Sequence, residues 1–231
     1  MRVTTVEKQD VCNLSRIPVS IRENPVYQTS LQIIDMPNIK TEDTILYKHY
    51  KEYNPVTLYD VYGGIEKLRS YSYKSCFLPW IHYTPVKDFE DVAFIDGDEN
   101  SIRIQIEKIK NLIKSIQEFG YVPDKFPDRK DGHITGYWIK HEESKKFYIV
   151  SGNHRTSICF ALNPIDVLPV LYEEYKHFKN RDLANRRRDI LDIYDTDSVL
   201  VWPSVVEGFL TPDEAILITK KYLKEDKNGQ K

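Results

Sequence analysis

The amino-acid sequence predicts an α+β fold, and three observations predict it. Isoleucines recur at helical spacing through residues 101–119, at Ile102, Ile106, Ile109, Ile113 and Ile116, which gives a helix one apolar stripe. Two β-prone runs, residues 136–140 and 146–150, flank a polar turn and read as a hairpin. The second run leads through Ser151 and Gly152 into a helical stretch that opens on Asn153, His154 and Arg155 and stops before Pro164.

Composition bounds the answer. The 231 residues suffice for one domain with additions or two small ones. A hydrophobic content of 41% with 29% charged residues fits a soluble globular chain. The net charge of −2 exerts no overall pull toward nucleic acid or anionic membrane, so any such partner needs a local basic patch. Cys12, Cys76 and Cys159 form no CxxC pair, which argues against a disulfide framework and against a cysteine zinc site. No apolar run approaches the roughly 20 residues of a membrane span, and the N-terminus lacks a signal-peptide apolar region. A reduced, cytoplasmic location is the expectation.

Taken in order, residues 1–40 read as an irregular N-terminal arm. Short strands at 17–21 and 31–34 are interrupted by Pro18, Pro25 and Pro37. Thr41 to Thr44 can start a helix whose face carries Ile45, Leu46, Tyr50 and Tyr53. A second short helix follows Pro55 and stops at Gly63 and Gly64. The many tyrosines here suit a helix packed on a core with its hydroxyls wet better than a base-stacking surface. A strand is expected after Pro79. Residues 85–100 form an acidic loop with Asp88, Glu90, Asp91, Asp96, Asp98 and Glu99, suited to facing a ligand or to favouring the start of the next helix. The isoleucine helix is core and receives no chemistry. The hairpin, the Gly152 turn, its helix and a strand at 167–172 follow. Residues 176–195 read as a charged helix with Arg181, Arg186, Arg187 and Arg188, ordinarily a solvated face. Residues 199–203 form an apolar anchor. Thr211, Pro212 and Glu214 carry a capping box for a last helix.

A strand that turns through glycine into a helix aims free backbone N–H groups at one point, a seat for an anion. His154 and Arg155 lie in that helix's first turn, where cations oppose the dipole. Their presence makes sense if a phosphate sits between them and the amides.

The order of these pieces resembles the ParB/sulfiredoxin fold. The matching stretches are 113–121, ending Phe119-Gly120-Tyr121; 147–157, containing Gly152-Asn153-His154-Arg155; and Leu168-Pro169-Val170. The resemblance covers roughly residues 78–173 and implies a mixed sheet with packed helices in that stretch; outside it, residues 1–77 read as an irregular or helical extension and 174–231 as a helical one. It also implies nucleotide phosphates held at the turn by Ser151, Gly152, Asn153, His154, Arg155, Thr156 and Ser157. Sulfiredoxin has a nucleophilic cysteine where this chain has Asn153, so that activity is not expected. ParB has Gly-Glu-Arg-Arg at this turn, and the substitution of Asn153 and His154 argues against its handling of CTP.

Two readings of function follow from the resemblance. In the first, the chain is an ATP- or ADP-dependent phosphotransferase, a kinase using Mg²⁺ and acting on a small hydroxylated metabolite. His154 and Arg155 neutralise the charge that develops on the transferred group, and Glu90, with Asp91 and Asp96 behind it, orients or deprotonates the acceptor. In the second, it is a non-catalytic module that binds a nucleotide or DNA as a signal, with the 181–188 arginines on the phosphate backbone.

Overall fold

The structure, a computed structural model, describes residues 3–12, 20–53, 55–73, 78–80, 98–122, 133–162, 167–172 and 193–223. Its elements are strands β1 (Val3–Glu7) and β2 (Val11–Cys12), helices α1 (Pro25–Asp35), α2 (Ile45–Glu52), α3 (Leu58–Tyr62) and α4 (Glu99–Phe119), hairpin strands β3 (Thr135–His141) and β4 (Ser144–Ser151), helix α5 (Asn153–Leu162), strands β5 (Val167–Tyr172) and β6 (Ile193–Asp195), and helices α6 (Pro203–Val206) and α7 (Pro212–Tyr222). This is an α+β architecture with a six-stranded mixed sheet in the order β1-β5-β3-β4-β2, β6 pairing with β3 beside β5.

Both parallel and antiparallel pairs occur. β3 and β4 form the antiparallel hairpin, with His141 opposite Ser144 and an irregularity between Thr135 and Gly136. β1 is antiparallel to β5, while β2 runs parallel to β4 and both β5 and β6 run parallel to β3. The sheet thus draws strands from all three sequence stretches, 1–77, 78–173 and 174–231.

Side-chain alternation divides the core between the two faces of the sheet. Val6, Val11, Phe147 and Ile149 pack with Tyr27 of α1 and with Cys159 and Phe160 of α5. Behind them, the four buried isoleucines of α4 meet Val26 and Ile33 of α1, Leu46 of α2 and Ile158 of α5. The opposite face presents Tyr137, Ile139, Tyr148 and Tyr194 to Trp80, to α3, and to Trp202, Ile218 and Tyr222 of the C-terminal segment. Trp80 is fully buried, its indole N–H donates to the Tyr137 hydroxyl at 2.6 Å, and its ring packs edge-on against Tyr148, Trp202 and Tyr222.

Three sequence expectations change. Residues 31–34 are helix, not strand, because Asn24 caps α1. Its side-chain oxygen accepts from Val26 N (2.8 Å) and Tyr27 N (3.2 Å), and Pro25 occupies the first helical position. A proline read as a breaker is there a helix starter. Residues 193–195 are not the end of a charged helix but strand β6, held by Lys140–Asp195 at 2.7 Å and a His141–Thr196 hydrogen bond of 2.8 Å. The apolar anchor at 199–203 is anchored by Val199, Trp202 and Pro203 only, because a 3₁₀ turn over residues 196–201 leaves Leu200 69% exposed. The expected helices ending at Glu52, Tyr62, Phe119 and Tyr222, the hairpin, and the strand at 167–172 are present. The expected strand after Pro79, most of the acidic loop, and the 181–188 arginines lie outside the described residues. No described helix is long and apolar enough to cross a membrane.

Candidate functional site: a cationic strand–glycine–helix turn

β4 ends at Ser151 and α5 begins at Asn153, with Gly152 between them at φ +92°. The glycine is required twice over. Its φ lies in the region that L side chains rarely adopt, and a Cβ there would sit 3.0 Å from Ile134 Cγ1 and 3.1 Å from Ile134 Cα. The Gly152 carbonyl accepts from the Thr156 amide at 2.8 Å and from the Thr156 hydroxyl at 3.0 Å. That carbonyl therefore takes the first helical bond, and the amides of Asn153, His154 and Arg155 have no acceptor within the helix. Three donors and the positive end of the dipole meet at one half-buried turn.

Two positive side chains bear on His154. Its pKa is pushed below the ordinary histidine value, first by burial and then by the charges of Lys108 and Arg155. Neither Lys108 nor Arg155 forms a hydrogen bond or ion pair among the described residues. Lys108 comes from the middle of α4, which packs beside α5. The first turn of α5 therefore offers a planar guanidinium, a neutral imidazole and three backbone donors, with the Lys108 ammonium near enough to act on His154 and no counter-charge paired to either cation among the described residues. These groups have the chemistry of an anion seat.

The remaining candidates fall in different places. Thr156 and Ser157 are fully buried. The Thr156 hydroxyl is committed to the Gly152 carbonyl and so braces the turn. Asn153 Oδ1 and Ser157 Oγ, one helical turn apart, are both buried with no hydrogen-bond partner. Cys159, buried against the sheet, has its thiol pushed up to about 12 by desolvation and is a poor nucleophile. Glu90, Asp91 and Asp96 lie outside the described residues. Asp98 is the cap of α4, accepting from Asn100 N at 2.9 Å and Ser101 N at 3.2 Å. Among the described residues, no group of three or more His, Cys, Asp or Glu side chains could hold a metal ion. The donors at the turn itself suit phosphate oxygens and not a cation.

Lys108 is the charge bearing on His154 that the sequence reading missed. A lysine on the polar flank of an amphipathic helix is indistinguishable from a solvating one until the helix is packed against α5.

No protein-family model, curated protein or solved structure matches this chain. Fold and site together define it as an α+β protein with a cationic strand–glycine–helix turn.

Proposed function

We propose that this chain is a nucleotide-binding protein of the ParB/sulfiredoxin type, acting as an ATP- or ADP-dependent kinase on a small hydroxylated metabolite. The observation that carries the reading is that the charges of Arg155 and Lys108 both reach His154 in the first turn of α5, beside amides with no acceptor within the helix, and that neither cation is paired among the described residues.

In this reading the amides of Asn153, His154 and Arg155 hold phosphate oxygens. Arg155 offers two parallel N–H donors, Lys108 a point charge, and His154 a neutral N–H. The acceptor hydroxyl oxygen attacks the terminal phosphorus. The new P–O bond forms as the bond to the bridging oxygen breaks, and the shortened nucleotide leaves with that electron pair. Charge on the transferred group is met by groups already in place, the main requirement of phosphoryl transfer. The hydroxyl proton passes to a carboxylate of the acidic loop, Glu90 first and Asp91 next. Mg²⁺ would be held mainly by the phosphates themselves.

The test is a thermal shift against ATP, ADP, CTP and GTP with Mg²⁺, on wild type, Arg155→Ala and Lys108→Ala. A ligand at about 100 times its dissociation constant adds roughly 2.7 kcal/mol of stability. The expected result is a shift with adenine nucleotides that Arg155→Ala abolishes and Lys108→Ala reduces. Glu90→Gln should then keep the shift and lose turnover. A shift confined to CTP, with no transfer to any hydroxylated acceptor, would favour a regulatory binding module, and no shift with any nucleotide would refute both.

A further inference from the structure

The Gly152 turn rests on Ile134, and Ile134 is itself held by a tyrosine outside the turn. Ile134 is fully buried, and its Cα and side chain lie where any Cβ at Gly152 would fall. It immediately precedes β3, whose first residue Thr135 pairs with Ser151 just before the pairing shifts register. At that irregular end of the ladder the Ile134 amide donates to the Tyr121 hydroxyl at 2.8 Å. Tyr121 follows Gly120, which ends α4 at φ +74°. The helix that brings Lys108 beside His154 thus also delivers, just past its end, the hydroxyl that secures the support of Gly152.

We propose that Tyr121 is a positioning residue for the anion seat. Its hydroxyl fixes Ile134, Ile134 fixes Gly152, and the amides of Asn153, His154 and Arg155 are thereby aimed at one point. This rests on the reading of the turn as a phosphate site. Removing the hydroxyl leaves a buried N–H without its acceptor at the open end of the ladder. Such a donor is costly to leave unmet, and the strand end relieves the cost by shifting. A seat built from three backbone donors loses affinity when their directions diverge.

The experiment is titration of the full chain with inorganic pyrophosphate, followed through the amide resonances of residues 152–155. Wild type, Tyr121→Phe, Ile134→Val and Arg155→Ala are compared, and the melting temperature of each is recorded. Wild type should show saturable shifts at these amides. Tyr121→Phe should keep a cooperative melt and bind roughly fivefold or more weakly. Should Tyr121→Phe not fold, Ile134→Val carries the test: it keeps the Tyr121 bond and the atoms nearest Gly152 but loosens the packing that holds the fully buried Ile134 side chain in place, and it should also weaken binding. A tyrosine that merely stabilises the fold would lower the melting temperature and leave pyrophosphate affinity unchanged, and that result overturns the proposal. Unchanged affinity in Ile134→Val overturns it equally. If wild type shows no shift at residues 152–155, the phosphate reading fails with it. If wild type binds and Arg155→Ala does not, while Tyr121→Phe binds normally, only the role of Tyr121 fails.

Discussion

Burial and two neighbouring cations keep His154 neutral near pH 7, so its ring can offer an N–H donor without adding a charge. The consequence for stability has a definite sign. In the unfolded chain the imidazole titrates near its ordinary value of about 6.5, while in the fold it titrates lower. Well above pH 6.5 both states are neutral and the group contributes nothing. As pH falls below 6.5 toward the folded value, the unfolded chain binds more protons and stability is lost. His49, also pushed down by burial, acts in the same direction. A bound phosphate reverses the balance at His154, because an adjacent anion raises its pKa and binding then takes up a proton. The stabilisation produced by pyrophosphate should therefore be larger at pH 6 than at pH 8 in wild type, beyond the pH dependence left in His154→Gln. The comparison cancels the titration of the ligand itself. Equal pH dependence in the two proteins would place His154 away from the anion.

At the scale of elements, α4 is the common support of the site. One stripe of it, Ile102, Ile106, Ile109 and Ile113, is buried against α1, α2 and α5, and Lys108 lies off that stripe. Truncating Ile106, which is fully buried, should cost about 2–5 kcal/mol through lost burial and the cavity left behind. Chemical denaturation should show this as a lower midpoint with the slope retained. The helix was legible in the sequence because a period of 3.6 is a local property. The same holds for α7, whose Thr211 and Glu214 form the expected reciprocal cap, and for α3, closed at Gly63. Helix α1 was not legible, because its buried residues include the polar Thr29 and Ser30. Its start depends on Asn24 and Pro25, a pair that marks a turn as readily as a cap. Ser30 closes on the Val26 carbonyl at 2.7 Å and Thr29 accepts from Leu46 N at 2.8 Å, a pairing across helices that no local pattern announces.

For the molecule as a whole, the face of the sheet opposite α5 and the Gly152 turn is sealed by aromatic packing. Trp80 touches Tyr137 and Tyr148 of the hairpin and Trp202 and Tyr222 of the C-terminal segment. It thus joins stretches of chain more than a hundred residues apart. Trp80→Ala should cost about 3–5 kcal/mol and collapse the near-ultraviolet circular dichroism that this cluster of fixed rings produces. If the near-ultraviolet signal and the melting temperature persisted, the cluster would not be what couples the C-terminal segment to the sheet. By itself the sequence determined the α+β class, the hairpin, the long helix and the Gly152 turn with His154 and Arg155 in its first turn. Each of these is written in neighbouring residues, as a period, a cap or a φ that only glycine takes readily. Only the tertiary structure decided that β1, β2 and β6 complete the sheet from both ends of the chain. It alone brought Lys108 to His154 and set the Tyr121 hydroxyl on the Ile134 amide. Short strands gain their stability from partners distant in sequence, and a lysine or a tyrosine acquires a role only from what packing sets beside it.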